Sequence, residues 1–185
     1  MAVDNKILYG LKNLYYAIKT DEGYGTPVAI PGAVNIELTP SGDSSTFYAD
    51  DIAYAVFSAN NGYEGTLEVA NFPKEFMTDV LSFATDEDGN LVETTFLQSA
   101  ECALLFEFTG DIRSRRHIFW DVKFSRPNVS GATKEESIEP QAQSIDFVAI
   151  PLASGVVKST TTNDTETQAY NNWFTTAPVP PEIDD

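Results

Sequence analysis

The sequence is poor in the residues that most enzyme chemistry needs. Among 185 residues there is one cysteine, Cys102, and one histidine, His117. A lone cysteine forms no internal disulfide. One Cys with one His leaves a four-ligand zinc site dependent on carboxylates. Cys102 lies in an apolar run with no basic neighbour in sequence to lower its pKa, so a buried, inert thiol is expected. His117 follows Arg113, Arg115 and Arg116 at the start of an alternating segment and reads as a strand-edge residue. No serine sits in a G-x-S-x-G elbow, and there is no P-loop. Gly23 and Gly25 give G-x-G without the third glycine or the following helix that a dinucleotide site uses. No apolar run approaches the ~18 residues that span a bilayer. The start, MAVDNKILYGLK, lacks the basic, apolar and small-residue succession of a signal peptide, so synthesis and retention in a cytoplasm are expected. Without secretion, the acceptor patterns at Asn128 and Asn163 carry little meaning. No enzymatic activity, cofactor or metal is expected.

Cations are scarce too. Eleven Lys and Arg stand against 28 Asp and Glu, for a net charge of −17. So acidic a surface repels nucleic acid, whose tight binding needs cations on phosphates. It also opposes adsorption to anionic membranes. Arg113, Arg115, Arg116, Lys123 and Arg126 gather in one stretch. They are read as meeting carboxylates on another copy of the chain, in preference to phosphates, because a self-associating acidic protein needs its few cations at the contacts.

What the chain does have is period-two alternation. Val34, Ile36 and Leu38 alternate with Asn35, Glu37 and Thr39. Leu14, Tyr16 and Ile18 repeat the pattern, as do Leu67 and Val69, Leu104, Phe106 and Phe108, and Ile145, Phe147 and Ala149. Ile118, Trp120, Val122 and Phe124 fall on one face of a further strand, with Phe119 the exception on the other. Such alternation predicts half-buried strands in a mainly β, antiparallel, sandwich or barrel-like fold. One segment has helical spacing: Phe72, Phe76, Val80 and Phe83, with Pro73 suited to a first turn, predict one short flanking helix over residues 73–83. Asp86, Asp88 and Asn90 tempt a calcium reading, but the glycine and the twelfth-position glutamate of that loop are misplaced, and a turn is expected. Residues 127–143 and 159–168 read as loops, and TAPVPPEIDD as an extended, acidic tail. The expected division is an N-terminal arm (1–9), a β domain (10–157) and a polar C-terminal arm (158–185).

The stretch FYADDIAYAVF, residues 47–57, resists a simple assignment. It is apolar on both faces, carries Asp50 and Asp51 side by side, and is bounded by PSGDSST and SANNGY. A central strand would bury two carboxylates, which is costly. Adjacent strand residues point to opposite faces, so the pair cannot flank one bond as a catalytic dyad. The turn-rich flanks favour a projecting hairpin or long loop, with the aspartates at its tip or paired with cations, and its apolar faces covered by another subunit.

The succession GLKNLYYAI, TPVAIPGAVNIELTP and STFYADDIAYAVFSANNGYEGTLEVANFP resembles the major tail (tail tube) protein of long, non-contractile-tailed bacteriophages of Gram-positive hosts. The resemblance covers residues 10–83, and continues more loosely through FWDVKFSRP and around Phe147–Pro151. It implies a structural virion protein assembled in the bacterial cytoplasm; because the sequence ends soon after its last clear strand, no further immunoglobulin-like surface domain is expected. Hexameric rings, whose strands line a common lumen, would stack into a tube for genome delivery around a tape-measure protein. Tail terminator and baseplate proteins would bound that tube, and DNA would pass in transit only. The loop at 40–63 would reach the next ring through Phe47, Tyr48, Asp50, Asp51, Ile52, Tyr54 and Phe57. The strands around Ala33–Thr39 and Ile118–Phe124 would join the ring sheet, with Glu37 and Asp121 as lumen carboxylates. The competing readings are a single-ring terminator or baseplate hub of the same fold, and a carbohydrate-binding β-sandwich using exposed aromatics such as Trp120 and Trp173.

Overall fold

The computed structural model describes residues 5–96, 98–131, 133 and 141–182. It is mainly β and antiparallel. In chain order the strands are β1 (Leu8–Thr20), β2 (Gly23–Tyr24), β3 (Val28–Ala29), β4 (Ala33–Ser41), β5 (Ser44–Ala49), β6 (Ile52–Ser58) and β7 (Gly62–Val69). Helix α1 (Lys74–Asp79) follows, then β8 (Ala84–Thr85), β9 (Leu91–Val92), β10 (Cys102–Gly110), β11 (Arg115–Phe124), β12 (Gln143–Ile150), β13 (Lys158–Thr160) and helix α2 (Thr167–Asn172). Nine strands form one sheet in the order β2-β1-β10-β11-β12-β7-β4, with β3 beside β1 and β13 beside β11.

The sheet rolls towards itself. β3 pairs with β1 at one end, and three residues later the chain becomes β4 at the other. The Ile30 amide donates to the Leu14 carbonyl at that junction (2.8 Å). The inner face encloses one core. Leu14 and Tyr16 from β1, Leu104 and Phe106 from β10, and Val122 and Phe124 from β11 meet Ile145 and Phe147 from β12 and Leu67 and Val69 from β7. These are the residues that the alternation predicts, since every second side chain of a strand faces one way. Helix α1 closes one end of this core with Phe76, which is fully buried and edge-on to Tyr16 and Phe124. The helix is six residues long and stops short of residue 83. Ser82 turns left-handed (φ 59°), and the Phe83 amide donates back to the Met77 carbonyl, ending the helix while Phe83 still packs on the core.

β11 departs from simple alternation, for a reason visible in its register. Leu104 pairs with Phe119 but Cys102 pairs with Val122, so β11 carries one extra residue there. The bulge puts Phe119, Val122 and Phe124 in the inner core, while Ile118 and Trp120 enter a second, outer core. At the same point β11 exchanges partners, from β13 at residues 117–119 to β12 at residues 121–124. β10 is therefore buried on both faces, and Cys102 lies fully buried, its thiol pushed well up by desolvation.

The outer core holds Ala17, Tyr24, Ala103, Leu105, Ile118 and Trp120. It is covered by Trp173 and Phe174 of the C-terminal segment, together with Leu152 and Val156. The segment expected to trail away thus folds back over the sheet as a strap and includes a second helix, α2. The boundary placed at residue 157 cuts through the sheet, because β13 is a strand of it. At the other terminus, β1 begins at Leu8, inside the expected arm. Asn5 ties that start to the β10–β11 turn by accepting from the Ile112 and Arg113 amides and donating to the Arg113 carbonyl. Residues 1–4 and 183–185 of the expected arms, and 134–140 of the expected loop, lie outside the described residues.

Candidate functional site

Residues 43–60 form a two-stranded arm. β5 and β6 pair only with each other, as a sheet separate from the main one. The arm prolongs β4 and β7: the Asn61 amide donates to the Ser41 carbonyl (2.9 Å), and the Ala59 amide to the Asp43 carbonyl (2.8 Å). At about 3.3 Å per residue, its tip stands roughly 26 Å beyond the sheet. Glycines shape the root. Gly62 has φ 98°, and a Cβ there would run into the Ala149 carbonyl. A side chain at Gly42 would likewise meet the Ala59 carbonyl across the arm.

At the tip, Ala49 pairs with Ile52, so Asp50 and Asp51 are the two central residues of a hairpin turn. Both take positive φ, 51° and 62°, as a type I′ turn demands. Aspartate tolerates that conformation better than most residues do. The adjacent carboxylates thus occupy a tight, solvated turn. Behind the turn, Phe47 pairs with Ala55 and Tyr48 with Ala53, which leaves Tyr54 as the extra residue of a bulge. Phe47 and Tyr54 meet edge to face at 6.4 Å.

The arm's apolar side chains have almost no cover within the chain. Relative exposures are 56% for Phe47, 67% for Tyr48, 61% for Ile52, 70% for Tyr54, 67% for Val56 and 63% for Phe57. A run of large apolar groups this open is a recognised mark of an interaction surface.

The cations have other employment. Arg116 donates from Nε to the Glu107 carboxylate (2.9 Å), and both groups are largely buried. Its guanidinium also bonds the Tyr170 carbonyl and lies 3.7 Å from the Tyr170 ring centroid. Arg113 stacks on the same ring at 3.6 Å and donates to the Asn163 and Thr165 carbonyls. Tyr170 is thus clamped between two guanidiniums, which bolts the strap to β10 and β11. Arg113 and Arg116, expected at subunit contacts, hold their own chain's C-terminal segment. Arg126 makes an exposed pair with Glu93 (3.4 Å). Arg115 has no ion-pair partner among the described residues.

The two acids expected to face a lumen separate. Glu37 is exposed on the open outer face of β4, level with Thr66 on β7, which pairs in turn with Asp146 on β12. Glu64 and Asp146 are exposed on the same face, and Glu68 is partly so, giving an acidic surface that also carries the exposed Val148 of β12. Asp121 does not join it. Its residue is 6% exposed and it is bonded to Lys19 (2.8 Å), because the β11 bulge turns it towards β1. Lys19 also holds Glu101, and bonds to the two carboxylates push its pKa up.

No reactive constellation emerges around the remaining candidates. His117 stacks on Phe106 and bonds Thr160 through Nδ1. Burial first, then the neighbouring Lys158 and Arg115 charges, pushes its pKa down to about 4. Asp86 accepts from the Asn90 side-chain amide first, and from the Asn90 and Asp88 backbone amides, in the exposed β8–β9 turn, and those bonds hold its carboxyl below the usual range. Among the described residues no group of three or more His, Cys, Asp or Glu is placed to hold a metal ion, and no helix is long and apolar enough to cross a membrane. Trp120 is 3% exposed and donates to Ser159 (3.1 Å).

Searched against models of known families and against curated proteins, the chain matches none.

Proposed function

We propose that the chain is the repeating subunit of a phage tail tube, a structural virion protein that self-associates into stacked rings and conducts the genome. The observation that carries this reading is the arm: a hairpin with six large apolar side chains, each more than half exposed, rooted in a sheet that has its own complete core. Burying each such side chain contributes about 1.5–3 kcal/mol. The body has no use for that energy, and a second copy does. An arm leaving one end of the molecule for the flank of another makes a head-to-tail contact, and such contacts propagate. Many modest contacts per subunit then hold the polymer by multivalency.

The acidic outer face of β4, β7 and β12 suits a bore from which DNA must slide without sticking, with Glu37 as its representative and Asp121 withdrawn from it. Hexameric symmetry, a tape-measure protein within, and terminator and baseplate proteins at the ends come with the family resemblance. The carbohydrate-binding reading draws on Trp120, which is enclosed; the aromatics that are open, Tyr48 and Tyr54 among them, stand on the arm beside Ile52 and Val56, a mixed apolar surface that suits a subunit contact better than a sugar. The test is negative-stain microscopy with sedimentation of the full chain and of a variant lacking residues 43–60. Long tubes from the first and a folded, non-polymerising particle from the second are expected. A full chain that stays monomeric at every concentration sinks the reading, and one that stops at single rings replaces it with a terminator.

A further inference from the structure

A head-to-tail contact needs a landing surface at the end of the molecule that the arm does not occupy. β7 identifies that end. It runs from the arm's root at Gly62 to Val69, and α1 follows, so the arm and α1 stand at opposite ends of the sheet. The exposed apolar group of Ile7, Leu8, Tyr9 and Ile112 is at the arm's own end. Leu8 pairs with Gly110 where β10 finishes, and β10 runs the same way as β4, every pair between them being antiparallel. At the α1 end, a cleft of about 560 Å³ opens between residues 94–95 and the end of β11. Leu81 and Phe124, both buried, and half-buried Phe83 form its apolar lining, and Thr94, Thr95 and Arg126 its polar one.

Two observations select an occupant. Phe96, next in the chain to Thr95, and Val129, three residues after Arg126, are 91% and 100% exposed, so apolar surface continues out of the cleft. The Arg126 side chain is 86% exposed in a chain of net charge −17. Its pair with Glu93 is long (3.4 Å) and solvated, so it contributes little and leaves most of the five guanidinium donors open to a further carboxylate. The arm's tip is the complement: two solvated carboxylates, Asp50 and Asp51, in front of exposed Tyr48 and Ile52. We infer that the cleft beyond α1 receives the tip of a second copy's arm, with Asp50 and Asp51 facing Arg126 and the apolar groups behind them covering Phe96 and the cleft's lining. The inference rests on the tube reading and supplies the surface on which the arm lands. It gives Arg126 the intermolecular role that Arg113 and Arg116, spent on their own strap, do not have.

A double-mutant cycle tests the contact, read by sedimentation over a concentration series at low salt. Arg126→Gln is placed in the full chain and in a chain already carrying Asp50→Asn with Asp51→Gly. In the first it should raise the concentration needed for polymerisation roughly 5-fold; in the second, where the tip has no charge to meet, it should change nothing further. Phe96→Ser, in the otherwise unaltered chain, should raise that concentration roughly 10-fold at any salt, since its effect is apolar. Both side chains are open in the single subunit, so neither substitution threatens the fold. If the two single variants polymerise as readily as the full chain, or if Arg126→Gln costs as much with the neutral tip as with the acidic one, the cleft assignment falls and the tube reading stands. If the full chain does not polymerise at any concentration, both fall.

Discussion

The arm and the strap make an instructive pair. Both are excursions from the same sheet, both carry aromatics among polar and turn residues, and neither has a core of its own. Yet Trp173 and Phe174 pack on the outer core, while Phe47, Tyr48, Tyr54 and Phe57 stand in solvent. Aromatic content does not separate them. Attachment does. The strap runs back along β11 as β13, and two arginines grip Tyr170 over a buried glutamate. Among the described residues the arm's strands pair only with each other, and the arm leads away from the sheet at roots where Gly42 and Gly62 admit no side chain. One segment is held on its own chain, and the other stands clear of it.

The largest expected effect comes from cutting the strap's anchor. Glu107→Ala removes one partner of the buried pair with Arg116 and strands a guanidinium beneath the strap. Breaking such a pair costs about 3–5 kcal/mol. Urea unfolding should register that loss, and limited proteolysis should cleave the strap first. If stability holds and the strap resists protease, the arginine clamp is ornamental, and the contrast with the arm must rest on Trp173 and Phe174 alone.

How much of this was legible in the sequence follows from the range of the forces involved. The inner core could be read residue by residue, because period two depends only on the strand itself. The hairpin arm was legible for a related reason: its turn-rich flanks and two-faced apolar stretch are local. The β11 bulge was not, since an extra residue shows only against a partner strand, and Phe119 as the exception to the alternation was its one trace. The strap was missed for the same cause. Its anchors join residues far apart in sequence, Arg116 to Tyr170 and Trp173 to Leu105, and TAPVPPEIDD displays no period of its own. Asp121 shared that fate, its burial being decided by Lys19 on another strand.

A middle-sized effect tests the strap's near end through pH. His117 lies where β13 joins β11, bonded to Thr160, with Lys158 and Arg115 as neighbouring charges. Its pKa falls to about 4 in the fold, below the ordinary value of 6.5. The folded state thus favours the neutral ring. The stability tied to this group is fully present above pH 6.5 and is lost as pH falls from there towards 4. Partial exposure screens the effect to about 1–2 kcal/mol. Acids elsewhere titrate near the lower end, so the difference between wild type and His117→Gln isolates the contribution. In chemical unfolding followed from pH 7.5 to 4, the wild type should lose more stability than the variant. Parallel curves would mean that the β11–β13 joint is indifferent to this charge.

The smallest effect on the fold belongs at the other end of the comparison. Replacing Asp50 and Asp51 by Asn and Gly keeps the positive φ at both positions and supplies the pair that a type I′ turn prefers. Both residues are exposed at the tip of the arm, so unfolding of the body should change by less than about 0.5 kcal/mol. Assembly is the sharper readout, because under the proposed function the substitution deletes two charges from the part of the arm that would lead into the neighbouring copy. If those charges meet cations there, polymerisation weakens at low salt. The gap from wild type should then close as salt rises and screens the exposed pairs. If the aspartates serve the turn alone, the variant assembles at least as readily as wild type at every salt concentration, since a better-formed hairpin loses less freedom on docking. Sedimentation at low and high ionic strength separates the two. A shift in the unfolding of the body itself would be the more damaging result, because it would mean that the arm is not energetically separate from the sheet that carries it.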